Sequence, residues 1–408
     1  MKIRLPKKVK YIIDKIYDEG YEAFIVGGCV RDSILGIEPN DYDITTSAKP
    51  NDIMNIFKGY KIIDNGIKHG TVAVVVDKDI YEITTYRVEG EYEDNRRPKS
   101  VEFTSNIKDD LQRRDFTINA IAYNDKIGLV DNFNGLIDIK NKIVKTVGDP
   151  DERFNEDGLR IVRAIRFSSK LGFQIEKETL NSIYKNANII KNISIERITE
   201  EFTKTILSDN PEKIILLYKT GIMKYLDIDS DINEESLKIL RKCDKTLEDR
   251  LTILEYISIV KAKCNLCIDS KKNSVLNTLK YSNKLNIKCN IILEYMFIDL
   301  NDMNTVKIKQ MLNKIGQDNL KKSLILKKIY SRFYLEDNTT QIDNIINEID
   351  RIQNDKECYC IKDLDINGEI LKELGYRGKD IGEKLNLLLN KVINNPKLNT
   401  RENLIGLL

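Results

Sequence analysis

The strand-like segments of this sequence are confined to its first third. Short runs rich in β-branched residues and bounded by turn residues occur at EAFIVGG, DYDITTS, GTVAVVVD, YEITTYR and VEFT. From about residue 140 onward, apolar residues instead recur at three- and four-residue spacing, as in RITEEFTKTILS, PEKIILLYKTGIMKYL and SLKILRKCDKTLEDRLTILEYISIVK. No strand is expected there. We therefore predict an α+β chain with a small head, built from a mixed sheet plus helices, followed by an extended all-helical part.

Length and charge limit the classes of protein to consider. The chain has 408 residues, which predicts roughly two to four domains. The net charge is only +2 although 32% of the residues are charged, so a polyanionic partner would have to bind locally basic surface. The N-terminus carries no apolar signal segment, and no run approaches the ~20 apolar residues of a membrane span. We expect a soluble, cytoplasmic protein without a membrane partner.

The cysteines do not indicate a disulfide framework. There are seven, an odd number in a long chain without regular spacing. Cys264 and Cys267 form a CxxC pair, but no second pair lies at zinc-ribbon spacing and the chain contains one histidine. We predict a reduced, buried pair on a helix.

Residues 24–46, FIVGGCVRDSILGIEPNDYDITT, combine a glycine turn with two carboxylates. Gly27 and Gly28 end a predicted strand and precede a short helix, so bare backbone N–H groups can face phosphates. Asp41 and Asp43 are two residues apart on the next predicted strand and share a face. Their repulsion is explained if divalent cations neutralise them, and Mg²⁺ often bridges carboxylates to substrate phosphates. The alternative is a solvated strand end bearing two acids.

Three further charged residues accompany this motif. Arg31, on the helix after the glycines, can contact a phosphate or a base edge through its planar guanidinium. Asp32 is expected to brace Arg31 or to cap the turn. Glu82, in DIYEITTYR, lies mid-strand among apolar residues, where an unpaired charge is costly. We predict that Glu82 is a metal ligand or lies close to the metal.

VGGCVRDSILG followed by DYDITT resembles the signature of class II nucleotidyltransferases, the CCA-adding enzymes and bacterial poly(A) polymerases, whose head is distantly related to DNA polymerase beta. Further segments match in order. YEDNRRPKSVEF resembles the flexible loop of the family, LQRRDFTINAIAY its ribose-and-nucleotide motif, and DNFNGLIDI its hinge. DPDERFNEDGLRIVRAIRF resembles the nucleobase-selecting helix, SIERITEEF its supporting motif, and the segment from LGYRGKDIG onward the C-terminal tRNA-contacting part of the bacterial branch.

The resemblance implies four segments. Residues 1–140 would form the polymerase-beta-like nucleotidyltransferase head, and residues 141–205 a helical neck with the nucleobase-selecting helix. Residues 206–330 would form a helical body, and residues 331–408 a helical tail that contacts tRNA. The match covers most of residues 20–205, whereas about 225–350 match only as helices.

Within RRDFTINA, the resemblance implies contacts to the sugar and phosphates of a nucleotide. Asp115 and Asn119 are four residues apart and, on a helix, would present an acceptor and an amide to a ribose hydroxyl. Either Arg113 or Arg114 would meet the triphosphate, and the sequence does not say which. The alternative is a capped helix N-terminus with exposed arginines.

The segment RFNEDGLRIVRAIRF is expected to form one helix that reads the base. Its relevant side chains are Glu156, Asp157, Arg160, Arg163, Arg166 and Phe167. Asp157 and Arg160 would make Watson–Crick-like contacts to cytosine or adenine, while Glu156 holds Arg160 in place. Uracil and guanine would leave buried groups unpaired. A surface ladder of ion pairs, worth only tenths of a kcal/mol each, would show the same spacing.

Together these features predict template-independent addition of C, C and A to the 3′ end of tRNA from CTP and ATP, by two-metal-ion in-line transfer with Mg²⁺ held by Asp41 and Asp43. The partners would be the tRNA acceptor arm and 3′ end, contacted through basic clusters such as KKSLILKK at residues 321–328, although a solvated helix face explains that cluster equally well. No DNA partner is expected. A poly(A) polymerase, a partial enzyme that adds only CC or only A, and an inactive RNA-binding relative are the alternatives.

Two features bear on the choice among these alternatives. In the family, an intact loop such as VEGEYEDNRRPKS accompanies terminal A addition, which favours the full reaction here; the loop carries Asp94, Arg96 and Arg97, with Asn95 where Gly is common and Arg97 where His is common. The single histidine, His69, is expected to be structural or capping. One histidine also excludes an appended His-Asp metal phosphohydrolase domain.

Overall fold

A computed structural model describes residues 2–64, 66–90, 92–93, 95, 97–228, 232–261, 274–335 and 339–408. The chain forms two compact units. The first comprises Met1–Asp229 with Thr278–Lys280, and the second comprises Ser230–Asn277 with Tyr281–Leu408. The division into head, neck, body and tail stays a prediction. Cys264, Cys267, Asp94 and Arg96 lie outside the described residues.

The strands of the described residues all lie in the first unit. They are β1 Ala23–Val26, β2 Ile44–Thr46, β3 Lys61–Ile63, β4 Thr71–Val76, β5 Asp79–Thr85, β6 Arg87–Glu89, β7 Tyr92–Glu93, β8 Arg97–Pro98, β9 Val101–Phe103, β10 Ile121–Asn124, β11 Gly128–Asp131, β12 Ile143–Val144 and β13 Gln174–Ile175. The five predicted runs contain β1, β2, β4, β5 and β9. The expectation of no strand after about residue 140 is wrong, because β12 and β13 form a short parallel pair. Each of these strands has only two residues, which is too short to give a periodic pattern in the sequence.

Seven strands form a mixed sheet in the order β11-β10-β1-β2-β5-β4-β3. The β2–β5 pair is parallel and the other neighbours are antiparallel. Every residue of β1 is at most 1% exposed, because this strand lies inside the sheet with both faces covered. A strand of this kind reads as a continuous apolar run, as AFIV does. The sheet therefore fixes the end of β1, where the glycine turn begins.

The segment that resembles the flexible loop of the family takes part in two short antiparallel ladders. β6 pairs with β9 and β7 pairs with β8. We call Arg87–Phe103 the hairpin. It follows β5 directly in the chain, so its base is anchored next to the sheet.

Helices of the first unit surround the sheet and follow it in the chain. They are α1 Lys7–Asp18, α2 Gly28–Ile34, α3 Pro50–Ile56, α4 Ile107–Gln112, α5 Gly135–Asn141, α6 Pro150–Glu156, α7 Leu159–Leu171, α8 Lys177–Asn186, α9 Ile195–Ile206, α10 Ile215–Lys219 and α11 Ile222–Tyr225, with 3₁₀ turns at Ile67–His69, Thr117–Asn119, Ala187–Asn192 and Pro211–Ile214. The run PEKIILLYKTGIMKYL, predicted as one helix, breaks before α11, where Gly221 has a φ of +80°.

The second unit is helical throughout its described residues. Its helices are α12 Glu234–Leu237, α13 Leu247–Lys261, α14 Val275–Thr278 (whose last residue belongs to the first unit), α15 Asn283–Met296, α16 Thr305–Ile315, α17 Gln317–Tyr334, α18 Thr340–Asn354, α19 Gly368–Glu373, α20 Lys379–Asn394 and α21 Arg401–Gly406, with 3₁₀ turns at Lys238–Arg241, Ile361–Asp363 and Pro396–Leu398. α13 was expected to be amphipathic and continuous with the residues before it. Instead, α13 begins at Leu247 as a separate helix, and every residue from Asp249 to Ile257 is buried.

Candidate active site

The turn between β1 and α2 places glycine backbone against two arginines. Gly27 has a φ of +78°, in the left-handed region that favours glycine. A Cβ on Gly27 would lie 3.1 Å from Nη1 of Arg114, and a Cβ on Gly28 would lie 3.6 Å from Nη2 of Arg31. The predicted order of strand, glycine turn and helix is confirmed. The missing side chain of Gly27 leaves room for the Arg114 guanidinium.

The paired carboxylates lie beside this turn. Asp41 and Asp43 were predicted on a strand, but both precede β2 in irregular backbone. The Asp43 carbonyl oxygen still accepts a hydrogen bond from the Val26 N–H at 3.1 Å, whereas regular pairing with β1 begins at Ile44. Aspartate is disfavoured in strands and β-branched residues are favoured, which explains why the strand begins after Asp43.

A third carboxylate lies next to Asp43. In the parallel β2–β5 pair, Ile44 is opposite Ile83, so the residues immediately before them, Asp43 and Glu82, are also neighbours. Glu82 is exposed, and not surrounded by apolar residues as its sequence context suggested, because that face of β5 is open to solvent. The acidic group therefore comprises three side chains, two from the segment just before β2 and one from β5.

The electrostatics of this acidic group favour a bound cation. Asp43 is accessible to solvent, yet nearby protein atoms partly desolvate it. This desolvation, together with Asp41 and Glu82, raises the pKa of Asp43 against the lowering effect of Arg114. In the described part of the chain, the side chains of these three acids make no hydrogen bond or ion pair.

The donor set can be tested against a divalent metal. Among the described residues, no group of three or more His, Cys, Asp or Glu side chains is arranged as a complete metal site. Mg²⁺, however, is commonly held by one or two carboxylates together with water and substrate phosphates. Exposed carboxylates that form no hydrogen bond or ion pair within the described residues fit a divalent cation that shares its coordination with a phosphate.

A cleft of about 340 Å³ in the first unit collects many of the predicted nucleotide-binding residues. It is lined by His69, Arg87, Glu89, Tyr92, Pro98, Arg113, Arg114, Asp115, Asp157, Arg160 and Arg163. Its volume lies within the range of small-molecule sites. The other seven predicted nucleotide-binding residues are not among the lining residues: Gly27, Gly28, Arg31, Asp32, Asn119, Glu156 and Arg166.

Asp110 fixes the two neighbouring arginines of the cleft. Its carboxylate is fully buried. Oδ1 accepts from Nε and Nη2 of Arg113 at 2.9 and 2.7 Å, and Oδ2 accepts from Nη2 of Arg114 at 3.2 Å. Burial opposes ionisation, but Arg114 and Arg113 outweigh it and lower the pKa of Asp110. Asp110 therefore stays charged and holds both guanidinium groups.

The two arginines differ in their surroundings. Nη1 of Arg113 also contacts Oε1 of Glu89 at 3.3 Å, which directs this guanidinium toward the hairpin. Arg114 instead lies against Gly27 and interacts with Asp43. Arg114 is therefore the arginine that faces both the glycine turn and the acidic group.

A chain of hydrogen bonds connects Asp115 with α2. Nδ2 of Asn119 donates to Asp115 at 3.0 Å, and Oδ1 of Asn119 accepts from Nη1 of Arg31 at 2.5 Å. Nε of Arg31 donates to Asp32 at 2.8 Å, so the expected brace is present. Arg31 is 3% exposed; with its guanidinium bonded to protein partners, it does not face the cleft as a phosphate or base contact would.

The prediction that Asp115 and Asn119 lie on one α-helix is wrong. Asp115 lies before a 3₁₀ turn, Thr117–Asn119, because its own Oδ1 accepts the Phe116 N–H at 2.9 Å and bends the backbone. Oδ2 of Asp115 accepts from Nε and Nη2 of Arg163 at 2.9 and 2.6 Å. Burial would raise the pKa of Asp115, but Arg163 and Asn119 lower it to about 2.

The expected single helix from Glu156 to Phe167 is interrupted. α6 ends at Glu156 and α7 begins at Leu159. Oδ1 of Asp157 accepts the Leu159 N–H at 3.1 Å and so caps α7. A Cβ on Gly158 would lie 2.5 Å from Cγ2 of Ile189, so only glycine fits this close approach. We call residues 156–158 the α6–α7 joint.

The two side chains proposed to read the base are held by protein partners. Nη1 of Arg160 pairs with Oε2 of Glu156 at 2.5 Å, and Nη2 donates to the Arg113 carbonyl oxygen at 3.0 Å. Asp157 pairs with Arg197, whose Nη2 lies 3.0 Å from Oδ2. The expected contact between Glu156 and Arg160 is present despite the break in the helix.

Arg166 points away from the cleft. Its Nε lies 2.5 Å from Oε2 of Glu201, and its guanidinium carbon lies 3.8 Å from the centre of the Phe167 ring. Glu201 also lies 3.7 Å from Nη1 of Arg163. Arg166 therefore connects α7 to α9 through Glu201, whereas Arg163 lines the cleft.

Several residues of the site were missed from the sequence. Asp110 precedes Arg113 and Arg114 by three and four residues, a helical spacing that could have signalled the contact. Arg197 and Glu201 are four residues apart in SIERITEEF and pair with Asp157 and Arg166 across the fold. Glu89 binds Arg87, Tyr92 and Arg113. The sequence gave no signal of this role, because Glu89 meets these partners only where the hairpin folds.

The remaining predictions concern His69 and the basic cluster. His69 is exposed and lines the cleft, and its carbonyl oxygen accepts from Nη1 of Arg87; its structural or capping role stays a prediction. In KKSLILKK, each of the four lysines has a partner within the second unit. These pairs are Lys321 with Asp350, Lys322 with Asp249, Lys327 with the Ile298 carbonyl, and Lys328 with Asp343.

Comparisons with known proteins agree with this geometry. Residues 23–145 match the family model of the poly A polymerase head domain, and residues 172–230 match that of a probable RNA and SrmB-binding site of polymerase A. The CCA-adding enzyme of Ligilactobacillus salivarius is 36% identical over 98% of this chain and 95% of its own length. That of Staphylococcus epidermidis is 37% identical over 98% and 96%.

A solved structure is similar over nearly the whole chain. The crystal structure of the Bacillus stearothermophilus CCA-adding enzyme in complex with CTP has a TM-score of 0.74 and 29% identity, and covers 96% of this chain and 93% of its own. Among the described residues, no helix is both long and apolar enough to cross a membrane.

Proposed function

The chain belongs to the CCA-adding enzyme family, and we propose that it adds C, C and A to the 3′ end of tRNA from CTP and ATP, without a nucleic-acid template, and releases pyrophosphate. The observation that carries this proposal is the placement of an exposed acidic pair beside a cleft of protein-held arginines. The acids supply a site for cations, and the cleft supplies fixed donors and acceptors for a nucleotide. Such an arrangement serves nucleotidyl transfer.

The family implies the use of a divalent metal, and we propose that this ion is Mg²⁺. Asp41 and Asp43 would hold it, with Glu82 adjusting the charge of the group. Two such ions, when bound there, would supply activation of the attacking 3′-hydroxyl of tRNA and neutralisation of the leaving pyrophosphate. Hydroxyl attack on the α-phosphate needs no covalent enzyme intermediate.

For the triphosphate, we propose Arg114 together with the backbone of Gly27 and Gly28. Arg114 is the arginine that lies against the glycine turn and interacts with Asp43. A guanidinium fixed by Asp110 can contact phosphate oxygens without losing further side-chain freedom. Arg113 would act from the hairpin side, through its pairing with Glu89.

For the sugar and base, we propose Asp115 near the ribose and Asp157 with Arg160 at the base edge. Asn119 and Arg163 keep Asp115 ionised and oriented, and Glu156 and Arg197 orient the base-reading pair. Cytosine and adenine would find complementary groups, whereas uracil and guanine present the reversed polarity and would leave buried groups unpaired. We further propose that residues 331–408 contact the tRNA, and that the protein acts in the cytoplasm.

A nucleotide-omission assay tests the function. Purified protein is given tRNA lacking its CCA end with CTP alone, with ATP alone and with both, and the products are sized. The proposal predicts two additions with CTP, none with ATP alone and three with both. Long A tails would instead indicate a poly(A) polymerase, and a stop after CC with both nucleotides a partial enzyme. If the protein binds tRNA but adds nothing, it is an inactive relative.

A further inference from the structure

Asn95 connects the hairpin to three positions around the α6–α7 joint. Its Nδ2 donates to the Asn155 carbonyl oxygen at 2.6 Å, and its carbonyl oxygen accepts the Gly158 N–H at 3.1 Å. Its Oδ1 accepts from Nδ2 of Asn192 at 2.9 Å. One residue thus bonds the last turn of α6, the start of α7 and the 3₁₀ turn Ala187–Asn192.

The positions of these contacts matter more than their number. Asn155 and Gly158 stand immediately before and after Glu156 and Asp157. The Gly158 N–H lies at the start of α7, where backbone donors have no partner within the helix. The Asn95 carbonyl supplies that partner. Asn95 therefore bonds to the backbone on both sides of Glu156 and Asp157, and Asp157 carries the carboxylate proposed to read the base.

The backbone of Asn95 is specialised for this role. Its φ is +52°, in the left-handed region that most residues disfavour but Asn and Gly adopt readily. A glycine could adopt the same backbone and still present its carbonyl to Gly158. It could not supply the side-chain amide that contacts Asn155 and Asn192. A glycine at position 95 would therefore keep the backbone bond to Gly158 and remove only the side-chain bonds to Asn155 and Asn192.

A second contact between the hairpin and the base-reading pair lies nearby. The Arg160 guanidinium carbon is 6.0 Å from the centre of the Tyr92 ring, near the outer limit of a cation–π contact. The hydroxyl of Tyr92 donates to Glu89, which also binds Arg113. The hairpin thus contacts both Arg160 and the joint next to Asp157.

From these contacts we propose that Asn95 is a positioning residue for nucleotide choice: its side-chain amide holds the α6–α7 joint so that Asp157 and Arg160 face the base edge together. This inference rests on the proposed function of the cleft. Asn95 itself touches no nucleotide in this proposal. Loosening the joint lets the two groups move apart, so a mismatched base is penalised less.

The test compares Asn95→Gly and Asn192→Ala with the unchanged protein. Asn95→Gly keeps the backbone and removes both side-chain bonds, whereas Asn192→Ala removes one of them without altering the hairpin. The control is Glu102→Gln, an exposed change on the same hairpin. Measurements are kcat/KM for CTP and UTP on tRNA lacking CCA, the Kd of each nucleotide with magnesium but without tRNA, and the thermal midpoint of unfolding.

We expect the CTP-to-UTP ratio of kcat/KM to fall by about tenfold in Asn95→Gly and by about threefold in Asn192→Ala, since two hydrogen bonds are lost in the first and one in the second. The Kd of UTP divided by the Kd of CTP should fall in parallel, while kcat for saturating CTP and the thermal midpoint change little. Glu102→Gln should match the unchanged protein. An equal loss of kcat for both nucleotides, at an unchanged ratio, would mean a structural role only.

The two proposals fail in distinguishable ways. If the unchanged protein adds no nucleotides, the function is wrong whatever the variants do. If the unchanged protein discriminates and both variants keep its ratio, the function stands and the role of Asn95 is refuted. If Asn95→Gly does not fold, Asn192→Ala alone decides, because it leaves the left-handed position intact.

Discussion

Replacing Asp115 by Asn should destabilise the first unit in a pH-dependent way. Asn keeps the shape of the side chain, so the loss is mainly electrostatic. In the folded protein burial opposes ionisation, but Arg163 and Asn119 lower the pKa of Asp115 from 3.8 to about 2. A lowering of this size stabilises the folded state by about 2 kcal/mol at pH 7. The expected loss in Asp115→Asn is of that order.

The sign of the pH dependence follows from the direction of the shift. Because the folded-state pKa lies below the unfolded value, the contribution is complete above about pH 5 and is lost as the pH falls toward 2. At pH 3 about half should remain. Urea unfolding followed by circular dichroism suits this chain, which has no tryptophan. The variant, the unchanged protein and the exposed control Asp64→Asn are compared at pH 7, 5 and 3.

Two results would refute this reasoning. A variant that unfolds at the same urea midpoint as the unchanged protein at pH 7 would show that Arg163 and Asn119 do not stabilise the ionised carboxylate. A difference that stays the same size at pH 3 would show that the loss comes from packing and not from charge. The transition of the first unit is the relevant one, because two compact units can unfold separately.

Three further predictions follow from individual contacts. Asp43→Asn should reduce CCA addition about a thousandfold or more while leaving the fold intact by circular dichroism, since it removes a carboxylate from the proposed cation site. Arg114→Met should raise KM for CTP and ATP alike, by about tenfold, in steady-state assays, because both nucleotides share the triphosphate. Glu357→Gln should lower the urea stability of the second unit by about 2 kcal/mol, because it leaves the buried Lys309 ammonium unpaired; adding Lys309→Met should recover most of that loss.

Local features of the fold and site were predictable from the sequence, and distant pairings were not. The glycine turn at Gly27, the β-branched runs and the two aspartates are visible in short windows. The bond between Arg31 and Asn119 joins residues 88 positions apart, and the pair Asp115 and Arg163 spans 48. No spacing rule reaches that far, so the burial of the Arg31 guanidinium against Asn119 could not be predicted from the sequence.

The break at the α6–α7 joint shows a second limit of sequence reasoning. Apolar and charged residues keep helical spacing straight through Asp157 and Gly158, so periodicity predicts one helix. Tertiary contacts end α6: Gly158 packs against Ile189, and the Gly158 N–H donates to the Asn95 carbonyl oxygen. Local propensity permits both forms, and the neighbours decide. The contact between Glu156 and Arg160 survives because the two residues stay close across the break.

The charge arrangement of the cleft favours discrimination over attraction. All five arginines that line it are paired with carboxylates: Arg87 with Glu89, Arg113 and Arg114 with Asp110, Arg160 with Glu156, and Arg163 with Asp115. Such pairing fixes each guanidinium before a nucleotide arrives, so little freedom is lost on binding. It also cancels much of the positive charge that would draw in a triphosphate.

The attraction must then come from elsewhere in the site. Within the described residues, the side chains of Asp41, Asp43 and Glu82 form no hydrogen bond or ion pair. Cations held there would carry the charge that a triphosphate needs. Affinity would thus depend on the metal, which serves every nucleotide equally, whereas choice would depend on the paired side chains, which are held by protein partners. On the proposed function, this separation would allow one cleft to accept CTP and ATP while still rejecting UTP and GTP.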